Sequence, residues 1–252
     1  MPPNAITVEV AAGVAAAHLE QRGTRMPSPS FGTMLDRIGQ RQVPLTPTVA
    51  LLLGIAVLAI VVLPATWLVV RHVETMAHEG AHALVGSSAG GRVQGIRLKP
   101  NSDGVTRVSL TGSTGNVITG AAGYLGSSAF GLGAAKLISV GHAVAVLWLS
   151  LLLLVILLAL VRNPFGVFAV VMAGVVIYVI ARYTAVGTET VVAYLVTWFL
   201  LLSGLRMVLE HGSHADDAIL LARATHVPRV LWSGMWLVGT AAALIVGGML
   251  LL

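Results

Sequence analysis

Cysteine is absent from this sequence, which removes disulfides, thiolate zinc ligands and thiol nucleophiles from consideration. Charge is scarce too. Only 10% of the residues are Asp, Glu, Lys or Arg, against about 25% in a soluble domain. With 56% hydrophobic residues and a mean hydropathy of +0.89, the chain is expected to be an integral membrane protein. The net charge of +5 comes with no basic cluster interleaved with aromatics, so nucleic-acid binding is not expected. No internal repeat is visible, which disfavours a transporter built from two related halves.

The first apolar run begins near residue 47, too far from Met1 for the core of a secretory leader. Before it, Pro2, Pro3, Pro27, Pro29 and Pro44 are scattered among charges. Residues 1–46 therefore read as a flexible tail, with a short helix expected at Val8–Ala17. A span requires about 20 predominantly apolar residues. Candidates are Thr48–Val70 (with Pro64 as a kink or break), Asn116–Val140, Ala143–Val161, Pro164–Tyr183, Thr188–Val208 and Val230–Leu252. Between the second half of the first apolar region and Asn116, Val93, Ile96, Leu98, Val105, Val108 and Leu110 are spread among polar residues. The turn signal Asn101-Ser102-Asp103-Gly104 divides them, so a β-hairpin at the membrane interface is expected.

One short stretch carries chemistry. His78-Glu79-Gly80-Ala81-His82 is an H-E-x-x-H motif. On a helix, residues four apart share a face, so both imidazoles can reach one metal ion. Glu79 sits one step round, placed to take a proton from metal-bound water. Such residues are costly in an apolar setting unless they act. Catalytic zinc usually takes a third protein ligand. The acidic residues after the motif are Asp103, Glu189, Glu210, Asp216 and Asp217. Asp103 suits a hairpin turn, Glu189 a helix start and Glu210 an interfacial helix end. Asp216 and Asp217 suit a helix N-terminus or a metal. His211 and His214 read as loop residues or as further ligands.

These residues resemble the site-2 protease family of intramembrane zinc metallopeptidases, in its short bacterial branch without a PDZ domain. The resemblance rests on His78-Glu79-Gly80-Ala81-His82 and on the glycine-rich run from Gly91-Arg92-Val93 through Gly123-Tyr124-Leu125-Gly126. It rests also on Asp217-Ala218 with Leu221-Ala222, Thr225, Pro228 and Trp232. It implies a zinc-dependent endopeptidase in which Asp217 is the third ligand, with Asp216 as the fallback, and Glu79 is the catalytic base. The chain lacks the family's Asn-Pro…Leu-Asp-Gly stretch; its Asn163-Pro164 lies far from the aspartates in sequence.

The expected fold is an all-α polytopic membrane protein of about six spans plus the motif helix and a small interfacial β-hairpin. Residues 47–252 are expected to form the membrane-embedded metalloprotease domain. The expected metal ligands are His78, His82 and Asp217, and the cofactor is Zn2+. The expected partners are the lipid bilayer and membrane-anchored protein substrates, cut in regulated proteolysis. The alternative is a transporter or scaffold using a metal- or proton-binding His/Glu site; an inactive family member is disfavoured by the intact Glu79. Lys and Arg asymmetry puts the N-terminus in the cytoplasm of a bacterial cell, with the hairpin on the same side if the motif helix is a crossing.

Overall fold

The computed structural model describes residues 36–109 and 112–252. The expected helix at Val8–Ala17, most of the expected tail and Leu110 lie outside the described residues. Ile38–Leu252 form one compact unit. Helices α1 (Pro47–Val62) and α2 (Pro64–Ser88) are followed by β1 (Arg92–Leu98) and β2 (Gly104–Ser109). Then come α3 (Ser113–Ser139), α4 (Ala143–Leu160), α5 (Pro164–Tyr183), α6 (Val186–His211), α7 (Asp216–Thr225) and α8 (Arg229–Leu251).

Four helices are long and apolar enough to cross a bilayer: α4, α5, α6 with the turn that follows it, and α8. Counting the bent pair α1–α2 as one span makes five. About six were expected; α3, which leads from the hairpin to the Gly141 end of the bundle, has the length of a span but is less apolar than these five. It has 27 residues, but Gly, Ser, Thr and Lys136 dilute its apolarity. Its small residues face other helices rather than lipid, with Gly123, Gly126, Ser127, Ser128 and Gly131 all buried. Close helix packing needs small side chains more than it needs hydrophobic ones.

The break at Pro64 has a plain cause. Proline has no N–H to donate and disfavours the helical region for the residue before it. Leu63 is accordingly extended (φ −70°, ψ 126°), and α1 and α2 meet at 100°. Carbonyls left over at the end of α1 need donors. Arg206 of α6 supplies them, donating Nη1 to Val61 O and to Val62 O, the latter at 2.9 Å. Its guanidinium lies 4.5 Å from the Trp67 ring centroid. Glu210 completes the lock: it accepts Trp67 Nε1 at 2.8 Å and pairs with Arg71 and Arg206, each at 3.6 Å.

The expected hairpin is present. β1 and β2 are antiparallel, with Arg97 opposite Val105, Thr106 opposite Ile96 and a bulge at Val93–Gly95. The turn is closed by Lys99 N to Asp103 O at 2.8 Å. The outer edge of β1 is occupied: Ile96 bridges Val161 in parallel, and Arg162 N donates to Ile96 O at 2.9 Å. Asn163 then imitates a strand residue. Its side chain accepts Leu98 N at 3.1 Å and donates to Leu98 O at 2.7 Å.

The hairpin therefore sits at the α4–α5 junction. Gln42, before α1, is at the other end of α4, where its N–H donates to Gly141 O at 2.7 Å. α1 runs from that end and finishes against Arg206, near the close of α6. With α4, α5 and α6 as successive antiparallel spans, the closes of α4 and α6 share one end of the bundle. Helix α2 thus leaves from the hairpin end and the hairpin brings the chain back to it.

Replacing Arg206 with Ala is expected to leave two helix-end carbonyls without their donor, costing on the order of 1–3 kcal/mol. Thermal unfolding in detergent, read by tryptophan fluorescence, checks this; an unchanged midpoint would show that Arg206 does not hold the bend.

Candidate metal centre

α2 carries His78, Glu79 and His82 into the interior. Nine per cent of each histidine and 4% of Glu79 is exposed, so these polar groups depend on protein partners. His82 Nδ1 lies 2.7 Å from Thr119 O on α3. A carbonyl can only accept, so Nδ1 carries a hydrogen and Nε2 is the atom turned toward His78 and Asp217. His82 Nε2 is 3.1 Å from His78 Nε2, and their rings meet edge to face. The Asp217 side chain enters from the first turn of α7. Its Oδ2 is 3.1 Å from His78 Nε2 and 3.2 Å from His82 Nε2.

Those three separations are close to the edge of a tetrahedron with zinc–nitrogen and zinc–oxygen bonds of usual length, about 3.3 Å. A shared cation, either a proton or a metal ion, is what holds three such atoms this close. Gly123 on α3 leaves room at this point, since a Cβ there would collide with His82 Nε2 and with His78 Nε2 and Cε1. The donor set and the space both fit a zinc ion. Burial pushes the Asp217 carboxyl up, but hydrogen bonds and charge from His78 and His82 outweigh it and hold it well below the usual carboxylate range. Asp217 is therefore anionic.

Among the described residues, His78, His82 and Asp217 are the one group of three able to hold a metal ion. The other acidic candidates are elsewhere. Asp216 is exposed, Glu210 belongs to the α1–α2 lock and Glu189 is fully buried at the start of α6. Asp103 pairs with Lys99 at 3.6 Å in the hairpin turn. His214 is exposed, and His211 turns Nδ1 back to Met207 O at 3.1 Å.

Glu79 has a partner that the sequence did not reveal. Thr106 of β2 donates Oγ1 to Glu79 Oε2 at 2.6 Å. Two residues earlier on the same face, Gly104 brings the strand so close that a Cβ would meet Glu79 Oε1 and Cγ. Tyr124 forms another wall, edge-on to His78 at 4.8 Å and stacked on Trp236 at 4.5 Å. Trp236 is anchored by Nε1 to Ala121 O at 3.0 Å. Spacing along one helix exposed the histidines and Glu79; Thr106, Gly104 and Tyr124 come from segments that no local pattern ties to the motif.

A family model described as Peptidase M50B-like matches residues 51–247, well over half of the chain. Comparison with curated proteins and with solved structures gave no match.

Detergent-purified protein is expected to hold about one zinc per chain, measured by plasma emission spectrometry. His78→Ala and Asp217→Ala are expected to lose it, and Asp216→Ala to keep it. Loss with Asp216→Ala and retention with Asp217→Ala would reverse the ligand assignment. Gly123→Leu, which fills the space between the imidazoles, is expected to lose zinc as well.

Proposed function

Because the chain belongs to the Peptidase M50B-like family, which is the site-2 protease family, we propose that it is a zinc-dependent endopeptidase. It hydrolyses peptide bonds of membrane-anchored proteins at or within the bilayer. The observation that supports this most directly is the convergence of His78, His82 and Asp217 on one point, with the Glu79 carboxylate held beside them. The chain is an integral, multi-pass membrane protein, and a bacterial cell membrane is its proposed setting.

His78, His82 and Asp217 would hold a zinc ion, which would supply activation of a water near neutral pH and polarisation of the scissile carbonyl. Glu79 takes the proton from the attacking water and passes it to the leaving amine. Thr106 holds one oxygen of Glu79 and leaves the other for that proton. Trp236 and Tyr124 limit water at the His78 side.

A helical substrate hides its backbone and must be unwound before it is cut. Strand addition is the proposed way of holding it extended. β1 cannot serve, since Val161–Asn163 already occupies its outer edge. Because Ile96 and Leu98 turn their backbone groups outward, the alternation of antiparallel pairing sends those of Thr106 and Gly104 to the other edge of the sheet. Among the described residues no backbone bond to another segment is made there. That edge is the proposed substrate strand site, and it runs beside the base.

Lys and Arg cluster at the hairpin end: Arg92, Arg97, Lys99, Arg107, Arg162, Arg223 and Arg229. The positive-inside rule puts that end in the cytoplasm. The entry of α1 near Gln42 is then on the outer side, the reverse of the orientation expected from sequence.

Membranes from cells producing the wild type are expected to contain new protein N-termini within or beside transmembrane segments, and those from Glu79→Ala cells to lack them. Mass-spectrometric sequencing of N-termini reads this. Identical profiles would contradict a protease and favour the transporter or scaffold reading. For any substrate so found, Glu79→Gln is expected to slow cleavage by about 10²–10⁴-fold. Thr106→Val is expected to slow it on the order of tenfold, with Thr106→Ser close to wild type.

A further inference from the structure

Glu74 is a carboxylic acid with no solvent exposure, one helical turn before His78 on α2. Neither the metal-ligand set nor the catalytic base accounts for it. A buried ionisable group inside a membrane bundle is costly and marks function more often than architecture. Two further helices have been shaped around this one. Ser127 of α3 donates to Glu74 Oε1 at 2.6 Å, and Ser203 of α6 donates to Glu74 Oε2. Both serines are fully buried as well.

His78 has the complementary need. Its Nε2 faces the metal point, so Nδ1 must carry the ring hydrogen. That Nδ1 is buried, and no hydrogen-bond partner reaches it in the structure. His82 differs, since its Nδ1 has Thr119 O. Helix geometry puts residues four apart on one face, with side chains leaning toward the N-terminus, so the His78 ring leans over the turn that bears Glu74. Each Glu74 oxygen accepts one serine and retains capacity for another donor.

We propose that Glu74 is the outer carboxylate of the metal centre, accepting the Nδ1 proton of His78 through one bridging water and so fixing which nitrogen that ring offers to the metal. Ser127 and Ser203 hold the carboxylate in place for this task. Glu74 touches neither substrate nor metal and is a positioning residue. The inference rests on the metal reading of His78, His82 and Asp217.

Zinc itself is the probe, titrated into the metal-stripped full-length protein against a chromophoric chelator. Outer-shell partners of zinc histidines typically change affinity by about 10–100-fold, and a fall of that size is expected for Glu74→Gln. A merely architectural Glu74 predicts something else, so the metal-free proteins are melted alongside. Gln is close to isosteric with Glu74 and keeps a polar partner for both serines, so metal-free Glu74→Gln is expected to melt no lower than wild type. Its cobalt-loaded form is expected to show an altered visible absorption band. Should Glu74→Gln fail to fold, Ser127→Ala with Ser203→Ala keeps the carboxylate but frees it, and a smaller loss of affinity is expected. Unchanged zinc affinity and cobalt spectrum in the folded variant would overturn the proposal while leaving the metal centre intact. Absence of zinc binding by the wild type would overturn the metal reading and this inference with it.

Discussion

Lone pairs and charges buried in an apolar bundle have to be satisfied from within, and in this protein the demand centres on α2. Its Glu74, His78, Glu79 and His82 are all buried. α3 gives Ser127 and the Thr119 carbonyl, α6 gives Ser203, the hairpin gives Thr106 and α7 gives Asp217. The packing of the other elements follows from those obligations. α3 is rich in glycine and serine where it lies against α2, and even a methyl group at Gly123 would collide with both imidazoles. Its low apolarity, which sets it apart from the lipid-facing spans, is a consequence of the same contact.

The bend at Pro64 serves this arrangement. By ending α1 and redirecting the chain through 100°, it lets a helix of polar character run among the apolar ones. The freed carbonyls are answered by Arg206, and Glu210 ties Trp67, Arg71 and Arg206 together. The hairpin then returns along α2 so that one strand, β2, does two jobs. On one face Thr106 donates to Glu79 and Gly104 leaves room for that carboxylate, while the backbone of the same two residues faces outward. Base orientation and the proposed strand site for substrate are thus properties of one short segment.

Sequence reading and structure agree where the signal is local. His78 and His82 sit one turn apart and share a face. The hairpin was visible as two alternating runs around Asn101-Ser102-Asp103-Gly104, and the break at Pro64 as a proline inside an apolar run. Asp217 was reached through resemblance, because nothing near it in the sequence ties it to the motif; the structure brings its carboxylate against both histidines. The span count is less legible, because α3 has the length of a span while its glycines and serines lower its apolarity. Glu74 passed unnoticed since a lone acidic residue on a helix reads as surface until Ser127 and Ser203 are seen around it. Thr106 likewise gains meaning only from a contact across the fold. Asn163, set aside because of its distance from the aspartates, closes the β1 edge instead.

The central claim is that one ion is held by two imidazoles and one carboxylate with a position left for water. X-ray absorption at the zinc edge of the loaded protein tests this most directly. A shell of four nitrogen and oxygen atoms at about 2.0–2.1 Å, with the outer-ring scattering of two imidazoles, is the expected result. A six-coordinate shell, or imidazole scattering from one ring or none, would contradict it.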